Sequence, residues 1–220
     1  MITALRLCLV THLKEKSFDT YRPLLLQAIR GGITAVQLRE KTTDLSALLL
    51  LARQLKATLD PFGIPLIIND HVDIAKEIDA AGVHLGQSDL HPGKARALLG
   101  PQKIIGLSIE TLDELQLANT LTCIDYVGAS AVFPSKTKPH CKTIWGLHGL
   151  QHLANHTHHP IVAIGGIAVE NIKQIIEHGA YGAAVIGAIH DAPDPRRTTE
   201  HLITTILQHV QEGAPRCLRL

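Results

Sequence analysis

The chain has 220 residues, 45% of them apolar and only 3% aromatic, with 21 Lys and Arg against 20 Asp and Glu for a net charge of +1. That length suits one large domain or two small ones, and the apolar share supports a large aliphatic core. The balanced charge argues against a nucleic-acid surface, which carries a basic excess, and no run approaches the roughly 18 apolar residues of a membrane span.

The opening "MITALRLCLVTHLKEK" has an apolar run too short for a secretory leader, so none is expected. Strand patterns then follow in order: "LRLCLVT", "TAVQLRE", "PLIIN", "GVHLG", "KIIGLSI", "DYVGASAVF", "PIVAIGG" and "GAAVIGAI". Amphipathic segments lie between and after them, among them "DLSALLLLARQLKATLD", "VENIKQIIEHG" and "RRTTEHLITTILQHVQEG". Eight strands alternating with eight helix-like segments predict a parallel sheet closed into a single-domain (β/α)8 TIM barrel over residues 1–220. Glycine-bearing stops such as "RGGIT", "DPFGIP" and "AAGVH" close helices ahead of strands. Cys8, Cys123, Cys141 and Cys217 are scattered without a C-x-x-C, which predicts free thiols and a cytoplasmic, reducing location.

The strands are continuous apolar runs, as expected when both faces are covered. Polar residues gather at their C-terminal ends, where the chemistry of such barrels sits. In "VQLREK", Gln37, Arg39 and Lys41 share one face and Val36 and Leu38 the other. Turning an amide and two cations inward is costly unless they meet a partner, so this strand end is expected to await an anion. After the third strand, Asn69 and Asp70 suit either a helix N-cap or a ligand site; Asp89, past the fourth strand, presents the same choice. Adjacent strand ends lie about 4.8 Å apart, so the two aspartates together can hold one hard cation such as Mg²⁺, with substrate phosphates completing its shell. Gly165 with Gly166 at the end of the seventh strand, and Ile186 with Gly187 at the end of the eighth, stand where barrels of this kind bind phosphate, although glycine pairs also form ordinary turns. Ser135, Thr137 and Lys138 are hydrogen-bond donors on the loop after the sixth strand, or plain solvated loop residues; Ser108, ending the fifth, is a cap or an anion donor. His84 is expected to be a satisfied core or lumen residue, Trp145 a packing residue, and the run from His152 to His159 a solvated helix end rather than a metal site.

Taken in order and spacing, "VQLREK", "IINDHVDIA", "AGVHLGQSDL", "FPSKTK" and "IVAIGGI" resemble the thiamine-phosphate synthase (thiamine-phosphate pyrophosphorylase) family over nearly the whole chain. The resemblance implies a (β/α)8 barrel transferase that joins 4-amino-2-methyl-5-(diphosphooxymethyl)pyrimidine to 4-methyl-5-(2-phosphoethyl)thiazole, giving thiamine phosphate and diphosphate with Mg²⁺. It implies that Gln37, Arg39, Lys41, Asn69, Ser108 and Lys138 hold the pyrimidine diphosphate, with Arg39, Lys41, Ser108 and Lys138 catalytic. It implies Asp70 and Asp89 as Mg²⁺ ligands, and Ser135, Thr137, Gly165, Ile186 and Gly187 around the thiazole phosphate. The partners implied are these small molecules, with neither nucleic acid nor membrane; a homo-oligomer is left open. The chain departs from the family pattern at Ala129, Ser130 and Ala131, at Ser135 in place of Thr, at Gly187 where Ser is common, and at His12 where Asp is frequent. The alternatives are the related thiazole tautomerase, a non-catalytic thiazole-phosphate-binding regulator, and another phosphate-binding barrel enzyme.

Overall fold

The computed structural model describes residues 2–14, 16–40, 44–135 and 141–212. Eight parallel strands close on themselves in sequence order: β1 Leu7–Val10, β2 Ala35–Leu38, β3 Leu66–Asn69, β4 Gly82–Leu85, β5 Ile104–Ile109, β6 Tyr126–Ser130, β7 Ile161–Ile164 and β8 Gly182–Val185, with β8 pairing back onto β1. Helices α1 Phe18–Gly31, α2 Leu45–Leu59, α3 Val72–Glu77, α4 Pro92–Leu99, α5 Leu112–Asn119, α6 Gly146–His156, α7 Ile172–Glu177, α8 Gly187–His190 and α9 Pro195–Glu212 surround them. This is the expected TIM barrel. No helix among the described residues is long and apolar enough to cross a membrane.

Local chemistry accounts for the boundaries. Ser17, Asp44 and Thr111 cap α1, α2 and α5 by accepting backbone N–H groups of the first turn. All eight strands fall within the runs where they are expected, each shorter by one or more residues, and two lose three or more residues at their C-terminal ends. Strand β6 stops at Ser130, short of Phe133, and β8 stops at Val185. The run "GAAVIGAI" was expected to be one strand, but its tail is α8, which makes nine α-helices among the described residues where eight were expected. Ile186 (φ −118°, ψ −85°) turns the chain, and the His190 N–H bonds back to its carbonyl at 3.1 Å. Ile189 is fully buried, so the apolar run never breaks, and a short buried helix reads like a strand.

The side chains sort by parity. Leu7, Leu9, Val36, Leu38, Ile68, Val83 and Val127 point outward into the large core between strands and helices. A second, smaller cluster fills the lumen with Cys8, Val10, Ala35, Ile67, Ile104, Tyr126, Val162 and Ala184. Burial pushes the Cys8 thiol up to about 12, so it stays protonated and behaves as an apolar filler. At the N-terminal end the Arg6 guanidinium lies 3.6 Å over the Tyr181 ring and donates to the Tyr181 carbonyl at 2.7 Å, closing the floor. Trp145 packs on the outer core, as expected. On α6, the rings of His152 and His156 stack at 4.1 Å on the solvent side, away from the strands' C-terminal mouth.

Candidate active site

The mouth of the barrel, at the C-terminal ends of the strands, holds a cavity of about 410 Å³. It suits a small organic ligand. Eight of the residues expected at the site line it: Gln37, Arg39, Asn69, Ser108, Ser135, Gly165, Ile186 and Gly187. They come from β2, β3, β5, the loop after β6, β7 and β8, so residues far apart in sequence converge only because the barrel closes. Lys41, Thr137 and Lys138 lie outside the described residues.

The lining is divided. Along β2 to β6 the last inward residues are Gln37, Asn69, His84, Ser108 and Ser130, a wall of hydrogen-bonding groups. Along β7 and β8, with the turn after it, the cavity is lined by Ile164, Ala184 and Ile186, an apolar wall. Gln37 is buried, and its Nε2 donates to Asn69 Oδ1 at 3.0 Å, so the amide finds its partner across the β2–β3 boundary. Asn69 is not a helix cap: His71 occupies the N-cap of α3 without a side-chain bond, and the Asn69 amide faces the lumen. Arg39 is fixed through its backbone, whose N–H donates to Thr11 Oγ1 at 3.0 Å, while the Glu40 carboxylate accepts the Leu13 N–H.

His84 is the largest addition to the expected site. Its Nδ1 lies 2.8 Å from the Tyr126 hydroxyl and its Nε2 lies 2.8 Å from Ser108 Oγ. Ser108 is therefore neither a helix cap nor an isolated donor; it is held by an imidazole. Burial holds the Tyr126 phenol well above its ordinary value, so it remains a neutral O–H. Ser130 and Asp191 also line the cavity without having been singled out as ligand groups; their spacing in the sequence carries no signal.

The two expected metal ligands flank the mouth rather than line the cavity. Asp70 is exposed, follows the last residue of β3, and has φ of 65°, with its N–H bonded to the His84 carbonyl at 2.9 Å. Asp89, half-buried, accepts the Gly86 N–H on Oδ2 at 2.6 Å, in the loop after β4. Among the described residues no group of three or more His, Cys, Asp or Glu is arranged to hold a metal. A pair of carboxylates on neighbouring loops fits instead a hard cation that takes the rest of its oxygens from substrate and water.

Across the mouth, Gly165 (φ 101°) and Gly166 (φ 62°) turn the chain after β7. A Cβ at either would lie 2.5 Å from Ala131 Cβ or 2.6 Å from Phe133 Cβ, so glycine is required by conformation and by space together. The loop after β6 is zipped onto this turn by Val132 N–H to the Ile164 carbonyl (2.9 Å) and Phe133 N–H to the Gly165 carbonyl (3.1 Å), which brings Ser135 beside the glycines. The Ser130–Ala131 peptide bond is cis. Asn171 braces the other side, donating to the Gly166 carbonyl and accepting the Ala168 N–H, both at 2.9 Å. A backbone turn with bare glycines beside a serine suits a phosphate.

The thiamine monophosphate synthase family model matches residues 7–189. A thiamine-phosphate synthase from Vibrio parahaemolyticus is 45% identical over 203 residues, covering 92% of this chain and 98% of that protein. One from Chlamydia caviae is 43% identical over 212 residues, covering 96% and 97%. Among solved structures, a thiamine phosphate pyrophosphorylase from Pyrococcus furiosus superposes with a TM-score of 0.83 at 31% identity, covering 95% of this chain and 98% of that one.

Proposed function

The chain belongs to the thiamine monophosphate synthase family, and on that premise we propose that the cavity at the barrel mouth is where it joins a pyrimidine diphosphate to a thiazole phosphate. The observation that carries this assignment is the division of one cavity between a polar wall, Gln37, Asn69 and Ser108, and a glycine turn with Ser135 opposite it. Two ligands of different character find complementary surfaces in the same space. The pyrimidine ring presents its ring nitrogens and amino group to the amides of the polar wall. The thiazole phosphate sits against the backbone at Gly165, Ile186 and Gly187, with the Ser135 and Thr137 hydroxyls donating to its oxygens.

No side chain needs to act as nucleophile, because the thiazole nitrogen is one. The C–O bond to the diphosphate breaks first, leaving a pyrimidine methylene cation, and the thiazole nitrogen then bonds to that carbon. Negative charge grows on the departing oxygens. Arg39, with Lys41 and Lys138, neutralises it, and such fixed charges act strongly in a site that excludes water. Asp70 and Asp89 are the residues that would hold Mg²⁺, which supplies further positive charge to the diphosphate oxygens when bound. The barrel contributes orientation as well: two partners held face to face react as one oriented pair.

The reading is tested by incubating the protein with both substrates, with and without Mg²⁺, and assaying thiamine phosphate by chromatography. Product that requires both substrates and the metal is expected. Binding of thiazole phosphate without product would instead make the protein a regulator.

A further inference from the structure

Three neighbouring inward positions form one rung of the barrel. His84 on β4 stands beside Gly106 on β5, and Gly106 beside Tyr126 on β6. Strands two apart are separated by roughly 9–10 Å of backbone, yet the His84 and Tyr126 side chains meet at 2.8 Å. They do so because Gly106 leaves the space between them empty: a Cβ there would lie 2.2 Å from Tyr126 Cζ. On the far side, a Cβ at Gly128 would lie 2.9 Å from His84 Cε1. Two strand glycines thus form the slots into which the two rings fit. One step further up β5, Ser108 receives the other edge of the imidazole.

The direction of the hydrogen bonds follows from bookkeeping of donors and acceptors. The Tyr126 hydroxyl is buried, and among the described residues its one hydrogen-bond partner is His84 Nδ1. If the phenol accepted from Nδ1–H, its own proton would be orphaned in the lumen, which costs more than leaving a lone pair unused. The phenol therefore donates to Nδ1, the ring proton lies on Nε2, and Nε2–H donates to Ser108 Oγ. With its oxygen already accepting, Ser108 has its own hydroxyl proton left for the cavity.

We propose that Tyr126 and His84 are positioning residues that lock Ser108 as a one-way hydrogen-bond donor toward the ligand on the polar wall. Both ring nitrogens of His84 are engaged by protein groups, Tyr126 on one side and Ser108 on the other, so the pair acts through Ser108. The proposal rests on the reading of the cavity given above for the identity of that ligand, but not for the state of the imidazole. A serine free to rotate would as readily accept from an amino group as donate to an anion. A serine fed by Nε2–H favours an acceptor ligand, such as a ring nitrogen or a diphosphate oxygen.

The test begins with the resting protein, without substrates. Long-range ¹H–¹⁵N spectra of imidazole-labelled protein are expected to show His84 as the Nε2–H tautomer, and Tyr126→Phe to shift it toward Nδ1–H. Turnover in Tyr126→Phe should fall roughly tenfold, the rate equivalent of one lost hydrogen bond, with the loss in use of the pyrimidine substrate and thiazole phosphate affinity unchanged. His84→Gln places an amide N–H near the Nε2 position and should retain most of the turnover, whereas His84→Asn, reaching only the Nδ1 position, should not. An Nδ1–H tautomer in the unsubstituted protein overturns the proposal, as do Gln and Asn variants that fall equally. If either His84 variant fails to fold, the tautomer and Tyr126→Phe still decide it. Absence of product in the unsubstituted protein would count against the synthase reading while leaving the tautomer result to stand by itself.

Discussion

Gln37 and Asn69 are diagonal neighbours on the adjacent strands β2 and β3 whose amides join on the lumen face, Nε2 donating to Oδ1 at 3.0 Å. Each satisfies the other where water is scarce, and each keeps a second polar atom for a ligand. Asn69→Leu is expected to strand the buried Gln37 donor and to lower stability by about 1–3 kcal/mol. Adding Gln37→Leu should restore part of that stability, because two apolar groups strand nothing, while binding of the pyrimidine diphosphate stays lost. Thermal melts and ligand titrations on the single and double variants measure both. Equal stability of the single and double variants would show that the bond does not hold the pair.

Gly165→Ala and Gly166→Ala each force a Cβ into the loop after β6 at a positive φ. The conformational cost alone is about 1–2 kcal/mol, and the contacts at 2.5 and 2.6 Å add to it. Both variants should melt earlier and bind thiazole phosphate at least tenfold more weakly, the weight of one displaced backbone contact. Ala at exposed Gly63, which has positive φ but nothing within 4 Å, is the control for backbone cost without the steric one.

Asp70→Asn and Asp89→Asn keep size and hydrogen-bonding shape but remove charge. Turnover is expected to drop at least a hundredfold in each, in the range reported for loss of one strong electrostatic contact, about 2.7–4 kcal/mol. The metal concentration needed for half-maximal rate should rise, with the circular dichroism spectrum unchanged. Asp89→Asn still offers an oxygen to the Gly86 N–H, so a loss of folding there would point to a structural duty instead. Chelation with EDTA should abolish activity reversibly.

Acid is expected to weaken the fold at His190 and His159. For both, burial is the main cause of a value below the ordinary 6.5. Around His190, the His12 ring and Lys14 lower it further, against the Ile186 carbonyl and Asp191. His190 also stacks on Tyr21 and meets its hydroxyl at 3.1 Å. Because the unfolded chain takes up these protons first, the stability each neutral ring contributes is complete above pH 6.5 and is lost as pH falls below it. The melting temperature should therefore drop between pH 7.5 and 5.5, and His190→Gln should flatten part of that slope. A slope unchanged in both His190→Gln and His159→Gln would assign the acid sensitivity to other groups.

The strands and their order were legible because parallel strands buried on both faces leave unbroken apolar runs, and glycine stops separate them. The error at "GAAVIGAI" has the same origin: an unbroken run does not announce where Ile186 turns. Polarity at the strand ends placed Gln37 and Arg39 toward the mouth but left Asn69 and Ser108 open between cap and ligand group; the family resemblance put all four in the site, and all four line the cavity. What the sequence hid is pairing. Nothing in "GVHLG" says that His84 reaches Ser108 on the next strand and Tyr126 on the one after, because that contact is made by the emptiness of Gly106 and Gly128. A histidine in an apolar strand, with inward glycines on the next two strands, is the signal that would have found it.

A chamber whose β2–β6 side carries amides and hydroxyls and whose β7–β8 side is mostly hydrocarbon and glycine backbone also orients what enters it. A flat heterocycle with its nitrogens along a single edge gains on both sides only when that edge meets Asn69 and Gln37, and pointing that edge at the β7–β8 side forfeits both gains at once. The direction in which such an edge points is thus biased by the wall itself, through which strands of the barrel end in polar residues and which do not.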